Sequence, residues 1–288
     1  MNFRQISISR RSFTIAAVLV ATVSLGIGAH AALNKRALDA VRAIASEQET
    51  VAAKGSRIAL VIGNGHYPDA NAPLPQPIND ARALTATLRG SGFDVDVVED
   101  ASKDDMLRAV ARLQSKVKPD SVVMLYFGGY GVQAGRQSYM IPVDARIWKE
   151  TDVRREGVSV ESVLDAVREK GARARLVVVD ASRRNPWERR FRAYSHGLAP
   201  ISAPDNALIL TSATPGQVAD DSKGPHSVLM TELLKELTPQ LAGIESAFNK
   251  TRNAISRATD GAQVPSVSSS LSEDVTITGT VASDKAGS

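Results

Sequence analysis

Three residues that could take part in catalysis each follow an apolar run of the chain. His66, Tyr130 and Ser182 lie at or just beyond the ends of such runs. Continuous apolar runs are typical of parallel strands that are buried on both faces. Because ligands of open α/β sheets bind at the carboxyl ends of the strands, we expect these three side chains at one edge of a sheet. A serine at that edge could act as a nucleophile if a neighbouring base took its proton.

The chain has no cysteine among its 288 residues. This composition excludes disulfides, thiolate metal sites, iron–sulfur clusters and a cysteine nucleophile. Ser182 would need an adjacent base, because a serine hydroxyl is almost fully protonated at neutral pH. Tyr130 is a poor base, since an unperturbed phenol has a pKa of about 10 and is only about 0.1% ionised at neutral pH. We expect Tyr130 and Ser182 to share a hydrogen bond as two neutral hydroxyls, with the tyrosine ring partly filling a cleft.

The histidines beyond the N-terminal segment offer few other bases. His66 is the candidate for a rescuing base, although a histidine in a polar, proline-rich loop is more often a surface residue. His196 and His226 are expected to be structural. No G-x-S-x-G pattern surrounds Ser182, which argues against an α/β-hydrolase site. The scattered acidic residues predict no metal site, and nothing in the sequence indicates another cofactor.

The chain after Gly55 alternates between strand-like and helix-like patterns. The predicted strands are Arg57–Gly63, Asp94–Asp100, Ser121–Gly129, Ala174–Ala181, Ala207–Thr214 and Val275–Val281. Between them, apolar residues three or four apart predict helices near residues 79–90, 104–113, 160–171, 229–237 and 244–255. Strands that alternate with helices predict an α/β fold, with a mostly parallel sheet sandwiched by helices and right-handed crossovers.

Residues 1–31 have the pattern of an export signal. Three arginines, the last two of them Arg10 and Arg11, precede an apolar run over residues 13–28, and small residues end the segment. The surroundings of the arginine pair are similar to a twin-arginine signal, which predicts a periplasmic or secreted bacterial protein. The alternative is an uncleaved inner-membrane anchor facing the periplasm, because the apolar character extends to Leu33, about the length that a membrane helix needs.

The positive charge of the chain lies mostly in this first segment. Its removal takes three of 35 basic residues and no acid, so that 32 basic residues remain against 31 acidic ones. A nearly neutral mature protein is not expected to bind nucleic acid. Residues 32–54 are rich in Ala and Glu and predict a leading helix or stalk, whereas residues 282–288 predict a frayed tail.

Six motifs occur in order along the chain. They are Arg57–Asn64 with Asn79-Asp80-Ala81, Leu125–Gly131 with Tyr139–Asp144, Leu176–Arg183 with Asn185-Pro186, Gly197–Pro200, Ala213–Ala219 and Gln263–Leu271. Each motif alone is weakly specific. Together they resemble the bacterial caspase-like peptidases of the metacaspase or orthocaspase group, which belong to the peptidase C14 caspase-domain family.

The resemblance implies a caspase fold with a six-stranded, mostly parallel sheet. It covers residues 55–281, divided into a large portion at about residues 55–190, a connecting loop at residues 183–203 and a small portion at about residues 204–281. In active members the catalytic dyad is the histidine of a G-H-G motif and the cysteine of a D-A-C-R motif. The match places Tyr130 at the histidine position and Ser182 at the cysteine position, so both members of the dyad are replaced.

Acidic residues beside the dyad bind an Arg or Lys side chain in the basic-specific members of the group. Asp180 and Asp144 match such positions, so the resemblance implies an anionic cleft for a basic peptide. The alternative is that these aspartates cap turns and bind backbone N–H groups. Asp220 or Asp221 could also contribute.

The connecting loop contains the strongest charge run, which includes Arg189, Arg190 and Arg192. Active relatives are often cut after basic residues in this loop, so these arginines could be the relic of an activation site. The favoured interpretation is a solvated loop whose guanidinium groups suit an acidic partner or a membrane surface, because self-cleavage needs a nucleophile.

Three hypotheses for the function remain open. The leading one is an exported pseudo-peptidase that binds a basic peptide or a partner protein through the degenerate cleft. The second is a residual serine-dependent endopeptidase that cleaves after Arg or Lys, in which His66, Tyr130 or water assists Ser182. The third is a purely structural interaction module, for which a dimer is conceivable.

Overall fold

The computed structural model describes residues 56–70, 73–191, 197–219, 224–237, 243–273 and 275–277. The chain divides into two units, Met1–Lys54 and Gly55–Ser288, and every described residue lies in the second. The predicted export signal, the leading helix or stalk and the C-terminal tail lie outside the described residues.

Nine strands and six α-helices are present in the described part of the chain. The strands are β1 (Arg57–Gly63), β2 (Asp94–Glu99), β3 (Val122–Gly128), β4 (Gly131–Ala134), β5 (Gln137–Met140), β6 (Val158–Ser159), β7 (Ala174–Asp180), β8 (Ala207–Thr211) and β9 (Ser266–Ser269). The helices are α1 (Pro77–Gly90), α2 (Lys103–Lys116), α3 (Glu150–Glu156), α4 (Val160–Glu169), α5 (Val228–Glu236) and α6 (Ile244–Ala258).

A six-stranded sheet in the order β2-β1-β3-β7-β8-β9 forms the centre of the domain. Its pairs are parallel except for β8 with β9, which is antiparallel. Strands β1, β3, β7 and β8 are buried almost throughout, as their continuous apolar runs predict. The predicted α/β fold with a six-stranded, mostly parallel sheet between helices is therefore confirmed.

Helices cover both faces of this sheet. Apolar side chains of α2 and α4 pack on one face, and those of α1, α5 and α6 pack on the other. Helices α2, α4 and α5 are preceded by the N-cap residues Ser102, Ser159 and Ser227, whose side chains accept backbone N–H bonds from the first turn. Within the described residues, no helix has the length and apolarity needed to cross a membrane.

The sixth strand differs from the sequence-based prediction. The pattern at Val275–Val281 predicts a strand, but residues 275–277 are not in a strand and the sixth strand is β9. Val275 and Ile277 are buried against the α5–α6 face of the sheet, which explains their apolar character without strand pairing. The serine-rich β9 forms an edge of the sheet and pairs only with β8, so it does not need an apolar pattern.

A second, three-stranded antiparallel sheet of β4, β5 and β6 lies beside the end of β3. This sheet was not predicted from the sequence, because its strands have only two to four residues. Strand β4 begins one residue after Tyr130, and the Tyr130 carbonyl accepts a hydrogen bond from the Ile141 N–H at 3.0 Å. This small sheet therefore fixes the backbone on both sides of Tyr130.

The end of β1 is packed tightly against the first turn of α1. A Cβ atom at Gly63 would lie 2.5 Å from the Pro77 carbonyl oxygen and 2.8 Å from the Ala81 Cβ. Both distances are shorter than ordinary contacts, and the first involves backbone that cannot rotate away. Only glycine lets α1 approach the sheet edge this closely.

Gly63→Ala is expected to destabilise the domain by about 2 kcal/mol, because the added methyl group forces β1 and α1 apart. Gly90→Ala is the matched control, since a Cβ at Gly90 would meet no atom within 4 Å. In a helix this control should increase the free energy of unfolding by up to about 1 kcal/mol. Urea unfolding of the two variants measures both effects, and equal effects would contradict the close-packing explanation.

Candidate functional site

The pairing of β3 with β7 brings two of the predicted site residues to the same edge of the sheet. Gly128 lies opposite Asp180 in the parallel register. Beyond the strands, the Gly129 N–H donates to the Asp180 carbonyl at 3.3 Å and the Gly131 N–H donates to the Ala181 carbonyl at 3.0 Å. Tyr130 and Ser182 therefore lie on two backbone segments that are hydrogen-bonded to each other.

Ser182 is enclosed by the protein, with 1% of the residue exposed. Its N–H donates to the Ser212 Oγ at 3.2 Å, and its carbonyl accepts from the Ala219 N–H at 2.6 Å. The Ser182 Oγ is buried and has no hydrogen-bond partner among the described residues. The predicted hydrogen bond between the Tyr130 and Ser182 hydroxyls is therefore wrong, because the Ser182 side chain is held without a partner.

Tyr130 lies inside a cluster of three aromatic rings and is 5% exposed. Its ring centroid is 4.9 Å from that of Tyr67 and 5.8 Å from that of Trp187, and both pairs meet edge to face. The Tyr67 hydroxyl accepts from the Tyr130 N–H at 3.0 Å and donates to the Ile141 carbonyl at 3.1 Å. Burial raises the pKa of Tyr67 and keeps its hydroxyl protonated. The three rings form an aromatic wall on this side of the site.

His66 pairs with Asp100 instead of approaching Ser182. Its Nδ1 lies 2.5 Å from the Asp100 Oδ2, and 73% of its side chain is exposed. Burial opposes ionisation of Asp100, but the N–H groups of His66 and Gly65 and the imidazole hold its pKa below the ordinary value. Asp100 follows β2, which lies on the side of β1 away from β3 and β7. The structure therefore does not bring His66 and Ser182 together.

Two buried carboxylates lie beneath the edge, on the α1 side of the sheet. Asp180 at the end of β7 is 1% exposed, and Asp80 in the first turn of α1 is 0% exposed. The Asp80 carboxylate accepts from the Ser227 N–H at 3.2 Å and lies 2.7 Å from the His226 Nδ1. Burial raises the pKa of Asp80 to about 6, with a further contribution from the charge of Asp180.

The charge of this acidic pair is only partly compensated by its neighbours. The Asp180 Oδ1 lies 3.4 Å from a guanidinium nitrogen of Arg183, whereas its Oδ2 has no partner among the described residues. The Tyr126 hydroxyl is also buried without a described partner, and its pKa is raised by burial and by the charges of Asp180 and Asp80. One carboxylate oxygen and one hydroxyl at this position therefore have no hydrogen-bond partner among the described residues.

Asp80 was not predicted from the sequence as a member of this pair. The Asn79-Asp80 pattern indicates the start of a helix, and a helix-capping role fully accounts for an acid there. The position of Asp80 in the chain could have predicted its place in the site, because a helix that follows a parallel strand begins at the carboxyl edge of the sheet. First-turn side chains of α1 are therefore close to the end of β7.

Asp144, the other predicted acid, lies away from this pair. It is exposed, and its Oδ1 accepts from the Lys103 N–H at 2.9 Å, so it caps the start of α2. The further candidates Asp220 and Asp221 lie outside the described residues, as do Arg192 and His196. No group of three or more His, Cys, Asp or Glu side chains in the described ranges could hold a metal ion.

The sequence of this chain matches one family model and is similar to two known proteins. The sequence model of the Peptidase_C14 caspase domain matches residues 56–276. Over 134 residues, the chain is 29% identical to human mucosa-associated lymphoid tissue lymphoma translocation protein 1 and 29% identical to its mouse homolog. These matches cover 46% of this chain but only 16% of either relative.

The raised pKa of Asp80 predicts a pH dependence of stability. A carboxyl with a pKa of about 6 in the folded state, above its ordinary value of 3.8, binds a proton more tightly when folded. Its contribution to stability is therefore present at low pH and is lost as the pH rises through about 6. Relative to wild type, Asp80→Asn should gain about 2 kcal/mol in free energy of unfolding between about pH 4 and pH 7.

Urea unfolding at a series of pH values measures this difference. Asn79→Ala changes the preceding residue of the same helix and removes no titrating group, so its difference from wild type should stay constant with pH. A constant difference for Asp80→Asn as well would contradict the raised pKa.

Proposed function

Because this chain belongs to the caspase-domain family of peptidases, we propose that it is an exported member without hydrolytic activity that recognises a basic side chain at the Asp80–Asp180 pair. The observation that carries the proposal is the environment of the Ser182 hydroxyl. Its Oγ is buried and has no hydrogen-bond partner among the described residues, so no described base is in position to activate it.

The loss of activity rests on the chemistry of the two dyad positions. A serine hydroxyl becomes a useful nucleophile only when a positioned base removes its proton in the transition state. Tyr130 is a poor source of that base, because a phenol with its ordinary pKa of about 10 is almost fully protonated at neutral pH. The His66–Asp100 pair resembles a base with its orienting carboxylate, but it lies toward β2, across β1 and β3 from Ser182.

The recognition role is supported by the acidic pair. Asp80 and Asp180 are two carboxylates, and Arg183 is the guanidinium group beside them. The partnerless Asp180 Oδ2 can accept a charge-assisted hydrogen bond from a ligand cation. Both carboxylates are buried, so a ligand must displace part of the covering structure, and we expect modest affinity.

Export is supported by the sequence of residues 1–31, with its arginines, its apolar run and its small residues before the proposed cleavage point. A periplasmic or secreted location also suits a chain without cysteine, since no thiol is present to be oxidised. Membrane anchoring through the same segment is the alternative, and fractionation of cells that express the full chain distinguishes the two.

The wild-type protein and Ser182→Ala are expected to show the same background turnover of reporter peptides that end in Arg or Lys. The reason is that Ser182 has no positioned base. Turnover is measured by release of a fluorescent leaving group from both purified proteins. Hydrolysis by the wild type that Ser182→Ala abolishes would establish the residual serine peptidase instead.

The double variant Tyr130→His with Ser182→Cys tests whether the residue types of an active dyad restore cleavage in the same assay. The register of β3 and β7 places both positions on neighbouring, hydrogen-bonded segments, so an imidazole and a thiol there can form a dyad. We expect measurable cleavage after basic residues. A folded double variant without cleavage would show that the acidic pair no longer admits a substrate.

Binding of a peptide that ends in Arg is expected to weaken about tenfold or more in Asp180→Asn, because the ligand cation loses its anionic partner. Asp144→Asn is the matched control, since it removes the same charge from an exposed helix cap and should leave the affinity unchanged. Isothermal titration calorimetry measures both affinities. Equal affinities in all three proteins would contradict recognition by the acidic pair.

A further inference from the structure

An exposed tryptophan surrounded by basic residues lies on the surface near the aromatic wall. Trp148 is 65% exposed, the largest exposed fraction among the large hydrophobic side chains of the described residues. Close to it in the chain are the exposed residues Arg146 and Lys149. Its ring is contacted by Arg190, which follows the exposed Arg189. These five residues are called the Trp148 surface below.

Arg190 holds the indole of Trp148 in place. The guanidinium carbon lies 4.7 Å from the centroid of the Trp148 ring, a cation–π distance. One nitrogen of the same guanidinium donates to the Asp69 Oδ2 at 2.8 Å and to the Ile147 carbonyl at 2.6 Å. The indole therefore has one face against a fixed cation, and its remaining surface is exposed to solvent.

Two acidic side chains near the Trp148 surface, Asp69 and Asp152, already have partners, whereas Glu150 and Glu188, which adjoin Lys149 and Arg189 in the chain, make no ion pair within the described residues. Asp69 accepts from the Trp187 Nε1 at 2.9 Å as well as from Arg190. Asp152 accepts the N–H groups of Trp148 and Lys149, each at 3.1 Å, and pairs with Arg155. By contrast, the three exposed cations of the Trp148 surface make no ion pair within the described part of the chain.

We propose that the Trp148 surface binds an acidic segment of a partner protein, independently of the cleft. Tryptophan and arginine are the side chains that most often dominate the binding energy of protein interfaces. Exposed cations that make no ion pair attract carboxylates and raise the rate of association. The free indole surface supplies the apolar contact that an exposed loop of arginines alone would lack.

The geometry favours a protein partner over a membrane or a nucleic acid. A bilayer takes up an indole that projects from the surface, whereas Arg190 holds this ring against the protein. The chain after residue 31 has 32 basic and 31 acidic residues. A nucleic-acid surface requires a larger excess of basic residues than this. An acidic protein segment needs only the local charge that these residues provide.

The test uses the full chain and a labelled poly-glutamate peptide, with poly-lysine of the same length as the peptide of opposite charge. In the triple variant Arg146→Glu, Lys149→Glu and Arg189→Glu, the affinity for poly-glutamate should fall by at least about tenfold. Trp148→Ala should reduce it by about fivefold. Binding should also protect the wild-type tryptophan fluorescence from quenching, because Trp148 is exposed whereas Trp187 is buried.

A matched triple variant controls for net charge. Lys170→Glu, Arg252→Glu and Arg257→Glu change three exposed cations outside the Trp148 surface and should alter the affinity by less than about twofold. Circular dichroism verifies that all variants fold. The proposal is overturned if the wild type does not bind poly-glutamate or if both triple variants lose binding equally. It is also overturned if phosphatidylglycerol vesicles or single-stranded DNA bind the Trp148 surface in place of poly-glutamate.

Discussion

The register between β3 and β7 is the constraint on which the site depends. Gly128 must lie opposite Asp180 for the two following segments to exchange their backbone hydrogen bonds. A shift by one residue would exchange the two faces of β7 and move Asp180 away from Asp80. The apolar side chains on both faces fix this register, because almost every alternative would expose part of the core. The positions of Tyr130, Ser182 and Asp180 are therefore a consequence of core packing.

The site concentrates polar groups whose hydrogen-bonding capacity is not fully used. The Ser182 Oγ, the Asp180 Oδ2 and the Tyr126 hydroxyl are buried without partners among the described residues. Each such group costs about 1–3 kcal/mol relative to a satisfied one. The packing of the surrounding sheet and helices must offset this cost, because the domain folds with these groups buried. Buried polar groups without partners are rare in folded proteins, so the packing at this edge is not optimised for stability alone.

Apolar patterns were sufficient to predict the central strands, because burial on both faces leaves a continuous signal in the sequence. They could not predict β9, whose serine side chains do not need to be buried at a sheet edge. The pairing of Asp80 with Asp180 joins residues that are far apart in the chain and depends on how closely α1 packs against β1. The orientation of the His66 side chain could not be predicted from the sequence either, because it depends on the carboxylate of Asp100, which follows another strand.

The aromatic wall has a consequence for the residue at position 130. Tyr130 packs edge to face between Tyr67 and Trp187, so its ring contributes to the stability of the domain. A smaller imidazole at this position would leave a void between the two neighbouring rings and would cost stability. The residue type at position 130 is therefore constrained by the packing of Tyr67 and Trp187, whatever the chemistry of the neighbouring edge.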